Sequence, residues 1–363
     1  MKLGILGGGQ LARMMALAAY PLNIQCAFLD PAEDACAGPL GELFHAAYDD
    51  ENGLKQLGEW SDCVAFEFET VPADVLKLIA EQAPHYPSYE ALLTTQDRLI
   101  EKNYFKKLGI ETAPFEIVDS ISDLESAVNK LGRPSILKSR RLGYDGKGQV
   151  MLRDDIDLSG ALDAIGKVPA ILEGFVNFDR EVSVIAVRAR DGETKFYPLV
   201  ENIHQNGILH ISTVLENDSL QHQAEGMVKK LLDDLDYVGV LTLELFIVGN
   251  NLYANEYAPR VHNSGHWTIE GATISQFENH IRAVCGLPLG DTSMVSPSAM
   301  INLIGSLPDT SEILKIPGAH LHLYDKQPRP GRKIGHVTVC ASTNSILEQR
   351  VERVLEIITV KNS

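Results

Sequence analysis

The 363-residue sequence has no apolar run long enough to cross a bilayer, no cysteine framework and no excess of positive charge. Each absence closes a class. A membrane-spanning helix needs about 20 predominantly apolar residues in succession, and no stretch here approaches that. The five cysteines, Cys26, Cys36, Cys63, Cys285 and Cys340, are scattered, odd in number and without C-x-x-C spacing. They fit the reduced thiols of a cytoplasmic protein, and neither a disulfide scaffold nor a zinc site. The chain opens directly on a strand-like segment, so no secretory leader is expected. A net charge of −17 speaks against general nucleic-acid binding, which needs a basic surface. An acidic chain that binds phosphates must gather its few cations locally, so clusters of Lys and Arg are the places to look.

What is present has an order. Lys2–Leu6 is a short apolar run, Gly7-Gly8-Gly9 a tight turn, and Gln10 to Ala19 carries helical spacing. Gln25 to Leu29 reads as a strand ending at Asp30, Cys63 to Glu69 as a later strand, and Pro72 as the start of a helix. This alternation predicts a parallel α/β unit over residues 1–95. A helix from Thr95–Arg98 to Leu108, stopped by Gly109, opens a small second unit, 96–176, with strands at Pro134–Lys138 and Ala170–Glu173. Over 177–363 strands dominate, among them Glu181–Ala189 and Ile334–Ala341, predicting a mainly antiparallel region.

The segment Gly7 to Ala12 fits G-x-G-x-x-A between strand and helix, with Asp30 where a dinucleotide fold places its ribose-binding acid. An NAD-dependent oxidoreductase is therefore one reading. The plainer one is a glycine turn that brings a helix N-terminus near some anionic group.

Two glutamates point elsewhere. Gly239–Val248 and Leu252–Tyr257 are alternating runs joined by Gly249-Asn250-Asn251, the pattern of a β-hairpin. A turn centred on Asn250 sets Val248 opposite Leu252 and Glu244 opposite Glu256, with Cβ atoms roughly 5 Å apart. Like charges so placed are destabilising unless a cation sits between them, and Mg²⁺ takes one or two carboxylates plus substrate phosphates. The bland alternative is two solvated glutamates on an exposed sheet face.

Four further segments carry candidate chemistry. From Lys138 to Gln149, Gly143, Gly146 and Gly148 lie among Lys138, Arg140, Arg141 and Lys147. Backbone N–H groups of such a loop can approach phosphate oxygens, although a basic surface turn looks the same and the P-loop spacing is absent. Glu173-Gly174-Phe175-Val176 followed by Glu181 suits an adenine hinge with a carboxylate for ribose, a pattern nearly uninformative alone. His262 to His266 lacks the Glu of H-E-x-x-H, leaving a single substrate-contacting or buried His as its use. Lys326, Arg329, Arg332 and Lys333, with Pro and Gly between them, shape a loop for a substrate phosphate or a solvated turn.

Taken in order, these segments resemble the ATP-grasp superfamily, and within it the purine-biosynthesis ligases that carboxylate aminoimidazole ribonucleotide. The resemblance covers almost the whole chain: Gly4 to Met14, Phe66 to Glu69 with Val71-Pro72, Gly143 to Gln149, His204 to Leu209, Asn255 to Arg260, His262 to Trp267, and Arg329 to His336. The Asn-Ser-Gly-His-Trp and Arg-Pro-Gly-Arg-Lys runs are the ones specific to that branch. Thr70, Val261 and Leu142 depart from its usual Asn, Pro and Gly.

The resemblance implies an ATP-grasp fold: an N-terminal Rossmann-like parallel-sheet domain, a small central lid, and a mainly antiparallel C-terminal domain. It implies nucleotide contacts from Arg98, Lys138, Gly143, Tyr144, Asp145, Gly146, Lys147, Gly148, Gln149, Glu173, Gly174, Phe175, Val176, Glu181, His204, Asn255 and Glu256. Mg²⁺, or Mn²⁺, falls on Glu244 and Glu256. Gln10, Glu69, Tyr144, Lys147, Lys326, Arg329, Arg332 and Lys333 are the implied substrate contacts, and Arg260, His262 and Asn263 the implied catalytic group. The implied reaction couples ATP cleavage to carboxylation of the ribonucleotide amine by bicarbonate, without biotin, in a homodimer with no nucleic-acid or membrane partner. A formate-dependent purine ligase, a biotin carboxylase or a peptide-type ligase would share the lid and the Glu pair but not the two specific runs. The intact Glu pair, Lys138 and glycine loop argue against a catalytically dead scaffold.

Overall fold

The computed structural model describes residues 1–143, 146–153 and 157–360. Three sheets organise it. The first is parallel, in the order Glu42–His45, Gln25–Asp30, Lys2–Leu6, Cys63–Phe66. Its central strands are apolar along their length, as strands covered on both faces must be. The Cys63 strand ends at Phe66, short of Glu69, so Glu67 and Glu69 lie on the loop beyond its C-terminal end. The helix expected from Pro72 begins at Val75, because the intervening residues form turns.

Helix Arg98–Lys107 follows, capped by the Asp97 carboxylate, which accepts from Leu99 N. A four-stranded antiparallel sheet comes next, in the order Phe115–Val118, Ala170–Gly174, Ser135–Ser139, Gln149–Leu152. The third sheet has nine strands, all pairing antiparallel. Asn251–Ala258 is its edge, then Gly239–Val248, Arg180–Arg188, Val200–Gln205, Ile208–Val214 and onward through Lys333–Cys340. Helix Gln276–Val284 buries Phe277 and Ile281 in a core shared with Met14, Met15 and Phe28 of the N-terminal unit and with Ile185 and Val187 of the large sheet. That shared core brings loops of the first sheet over the edge of the third.

Among the described residues no helix is long and apolar enough to cross a membrane.

Candidate active site

The hairpin that carries the two glutamates is built differently from the simple expectation. Val248 pairs with Asn251 and Ile247 with Leu252, so the loop is Gly249-Asn250, with Gly249 at φ +58. That register would set Glu244 opposite Asn255. The ladder then shifts: Leu245 faces Ala254, whereas Leu243 faces Tyr257. Asn255 and Glu256 therefore stand together opposite the single residue Glu244, a β-bulge. The extra residue returns Glu256 to the level of Glu244 and adds Asn255 to the same place.

Glu244 and Glu256 each have a partner of their own. Glu244 Oε1 lies 3.0 Å from His262 Nε2, and Arg98 Nη1 donates to Glu256 Oε2 at 2.9 Å. Two more pairs repeat the pattern: Glu69 Oε1 with Arg260 Nη2 at 2.7 Å, and Glu181 Oε2 with His204 Nδ1 at 3.0 Å. Burial alone would raise the Glu244 carboxyl, but the His262 hydrogen bond and nearby His204 and Arg260 hold it below the usual carboxylate range. Burial opposes the protonation of His204, and Glu181 outweighs it, raising its pKa.

His262 is fixed from several sides. Its Nδ1 accepts from Ser264 N at 3.3 Å and lies 2.8 Å from Ser264 Oγ. With Nδ1 accepting, the ring proton resides on Nε2, pointing at Glu244. The backbone of His262 is gripped by the buried Gln276 amide, which accepts from His262 N at 3.0 Å and donates to His262 O at 2.6 Å. Gly265 leaves the room for this: a Cβ there would lie 2.5 Å from Gln276 Cδ. Asn263 and Asn302 exchange amide hydrogen bonds at 3.0 and 2.7 Å.

The glycine loop lies at the same place. A Cβ on Gly143 would come within 3.3 Å of Arg98 Nη2, and one on Gly146 within 3.1 Å of Gly207 Cα, in the hairpin that follows His204. A Cβ on Gly331 would reach Ile208 at 3.7 Å, so the 326–333 loop flanks that hairpin too. Gly146 and Gly148 have φ of +77 and +71, and Leu142 has +61. A left-handed Leu is strained by about 1–2 kcal/mol, a cost that glycine would not carry. Tyr144 and Asp145 lie outside the described residues.

Beneath the loop, Lys138 Nζ donates to Glu173 Oε2 at 2.8 Å, and Lys102 Nζ is 3.5 Å from Glu173 Oε1. Burial would push the Glu173 carboxyl up; Lys102 and Lys138 instead hold it down, at about 2. Beyond Glu173, Gly174 N donates to Pro114 O at 2.8 Å and Phe175 N to Pro134 O at 3.4 Å. Val176 follows, ahead of the Arg180–Arg188 strand that carries Glu181. Lys138 pairs in register with Gln149.

On the N-terminal side, Lys326 Nζ donates to Gln10 Oε1. Arg329 is exposed, while Lys147, Arg332 and Lys333 sit at intermediate depth or at the surface of their loops. Sequence reasoning missed several participants: Glu67, Asp97, Glu101, Lys102 and Asn302. Glu67 accepts from Gly9 N, and from Ala12 N at 2.9 Å. Asp30 accepts from Gly8 N at 2.7 Å and Tyr48 Oη at 2.8 Å. The N-terminus of helix Gln10–Ala19 is thus filled by the protein's own carboxylate, and Asp30 is spent on the glycine turn. This is a poor pyrophosphate site, so the dinucleotide reading loses its ground. A buried acid at 97 or 101 carries no pattern by which a sequence alone announces it.

Residues 1–96 match the ribonucleotide synthetase preATP-grasp domain, 103–277 the ATP-grasp domain, and 298–350 the phosphoribosylaminoimidazole carboxylase C-terminal domain. The N5-carboxyaminoimidazole ribonucleotide synthase of Pseudomonas aeruginosa is 52% identical over 99% of both chains. The chain belongs to the N5-carboxyaminoimidazole ribonucleotide synthase family. It has the ATP-grasp fold and is an ATP-dependent ligase of purine biosynthesis. The crystal structure of the synthetase from Thermus thermophilus, 50% identical, superposes with a TM-score of 0.93 over 98% of each chain. The synthase from Aspergillus clavatus, in complex with ADP and 5-aminoimidazole ribonucleotide, is 32% identical with a TM-score of 0.91, covering 99% of this chain and 98% of that one.

Proposed function

We propose that this chain forms a bond between bicarbonate carbon and the exocyclic amine of 5-aminoimidazole ribonucleotide at the cost of ATP, releasing ADP and phosphate through carboxyphosphate. The observation that carries the reading is the bulge at Asn255–Glu256, which gathers Glu244, Glu256 and Asn255 beside Arg98 and the glycine loop. The Aspergillus relative's ADP and ribonucleotide support the choice of ligands. The reading assigns nucleotide binding to 96–176 and the adjoining sheet edge, ribonucleotide binding to 1–95 with the 326–333 loop, and the remaining chemistry to 177–363. A homodimer acting in the cytoplasm without biotin completes it.

The donor set suits a hard divalent ion: two carboxylates meet at one bulge, and the buried Asn255 Oδ1 beside them has no partner. Glu244 and Glu256 would hold Mg²⁺ or Mn²⁺, which would neutralise the triphosphate charge that builds up during phosphoryl transfer. The chain's own groups do the rest. Lys138, at the end of its strand and buried, presents a fixed ammonium toward the nucleotide. A bicarbonate oxygen attacks the γ-phosphorus as the bond to the β-phosphate bridging oxygen breaks. Arg260 is partly buried and its Nε lacks a partner, so it can hold the bicarbonate or carboxyphosphate oxygens. The amine nitrogen then attacks the carboxyphosphate carbon, phosphate leaves, and the amine proton must be taken up. His262, which meets Glu244 through Nε2, is the group assigned to that proton. Asn263, locked by Asn302, orients a substrate oxygen. The glycine loop, resting on the 205–208 hairpin, keeps water from the unstable intermediate.

The test is ADP release with and without bicarbonate and the ribonucleotide. Release should rise with both together and stay flat with formate, biotin or amino acids. Glu256→Gln should remove turnover while the fold survives. Near-normal activity in that variant defeats the metal assignment.

A further inference from the structure

The edge strand Asn251–Ala258 is not left to water. Helix Arg98–Lys107 and the segment after it cover its outer side. Ala254 N donates to Glu111 O at 2.7 Å, Tyr257 N donates to Glu101 Oε1 at 2.8 Å, and Asn255 O accepts from Lys102 Nζ at 2.8 Å. In a regular strand, outward-facing N–H groups recur every second residue. Here Ala254 and Tyr257 face outward three residues apart, because the bulge adds one residue between them. The bulge thus leaves peptide groups on both sides of Glu256 that no neighbouring strand can satisfy. Two consecutive side chains, both almost wholly buried (Glu101 3% and Lys102 1% exposed), satisfy them.

Lys102 reaches further. Its ammonium also lies 3.5 Å from Glu173 Oε1, at the end of the lid strand Ala170–Gly174, and Glu173 in turn binds Lys138. One buried ammonium therefore touches both the strand that presents Glu256 and the strand that leads into the proposed adenine hinge. Burying an acid and a base side by side is expensive unless each is held by partners. Solubility and simple packing are better served by other residues at these two positions.

We infer that Glu101 and Lys102 are positioning residues: they lock the bulged strand so that Glu256 meets the nucleotide's divalent ion, and Lys102 couples that placement to the lid strand through Glu173. This rests on the metal role proposed for Glu256. Neither side chain need touch substrate, and their effect passes through the backbone at Asn255 and Tyr257. Displacement of a reacting or binding group by about 1 Å can cost about a hundredfold, and positioning within about 0.5 Å is what a supporting shell secures.

The experiment is calorimetric titration of ADP into the full-length protein with and without Mg²⁺, the readout being the ratio of the two affinities. The wild type should bind ADP more tightly with Mg²⁺, and Glu256→Gln should lose that gain while keeping its metal-free affinity. Glu101→Leu, which removes the acceptor of Tyr257 N, should cut the gain by about tenfold or more with little change in metal-free affinity. Glu101→Gln, which keeps an acceptor oxygen, should restore it. Lys102→Met should cut the gain and also weaken metal-free binding, since the link to Glu173 is lost; Glu173 keeps Lys138, which favours folding. A merely structural pair would lower the unfolding midpoint and leave the ratio at its wild-type value, and that result in either folded variant overturns the inference. No gain in the wild type, or none lost in Glu256→Gln, overturns the metal reading and this inference with it. Loss in Glu256→Gln alone overturns only the inference.

Discussion

Asp97 joins the start of helix Arg98–Lys107 to the start of the glycine loop, and its removal gives a graded, checkable loss. The carboxylate accepts from Leu99 N at 3.0 Å, from Arg140 Nε at 3.0 Å and Nη2 at 2.8 Å, and from Arg141 Nε at 3.2 Å. Its side chain is 3% exposed, against 24% for Arg140 and 57% for Arg141. Asn caps a helix about as well as Asp, so Asp97→Asn removes the ion pairs and keeps the cap. Breaking a fully buried pair costs about 3–5 kcal/mol and an exposed pair about 0–1. With one partner buried and the others partly in water, about 1–2 kcal/mol is the appropriate figure for Asp97→Asn. Asp97→Ala loses the cap as well, about 1 kcal/mol more.

The pH dependence has a definite sign. Burial raises the Asp97 pKa, but Arg140 and the helix N–H groups prevail and hold it below its ordinary 3.8. A depressed pKa contributes stability above the unfolded value, about 3.9, that is lost as pH falls through the folded one. The assay is urea unfolding of wild type, Asp97→Asn and Asp97→Ala from pH 7 to pH 3.5. The wild-type advantage over Asp97→Asn should hold constant from about pH 7 to 5 and shrink below about pH 4. Equal losses in the two variants would refute the cap, and an advantage that grows with acid would refute the ionised pairing.

Two further substitutions probe neighbouring parts of the site. Gly265→Ala drives a methyl into the Gln276 amide that grips His262, at a strain of about 1–3 kcal/mol. Steady-state kinetics should show turnover down by at least about tenfold with ADP affinity nearly unchanged, and equal loss of both would place the damage outside His262. Glu67→Ala strips the acceptors from Gly9 N and Ala12 N, each buried orphan costing about 1–3 kcal/mol. Chemical denaturation measures it, and a loss under about 0.5 kcal/mol would mean that water replaces the carboxylate freely.

Periodicity and punctuation made the three-sheet plan readable, because strand alternation, the glycine turn and the polar start of the helix at Thr95–Arg98 are local patterns with local causes. The two loops rich in glycine and cations stood out for the same reason, as these residues crowd a few positions of an acidic chain. The pairing of Glu244 with Glu256 was also visible, although the straightforward hairpin put the turn one residue off and missed the bulge. A bulge inserts a residue without altering hydrophobic alternation enough to be noticed, so it must be seen in the ladder.

What the chain decided by itself was which residue types are on hand: carboxylates of the kind a hard metal ion takes, glycines that let a backbone come close, a histidine run beside an arginine. Tertiary structure decided how they are spent. It paired Glu256 with Arg98, 158 positions before it, and Glu244 with the imidazole of His262. It closed the N-terminus of the first helix with Glu67, a residue 58 positions beyond Gly9, and so removed a dinucleotide site that the glycine pattern alone allows. The physical reason is common to both. Burial makes every unpaired charge costly, and only the folded chain determines which distant group is within reach to relieve it.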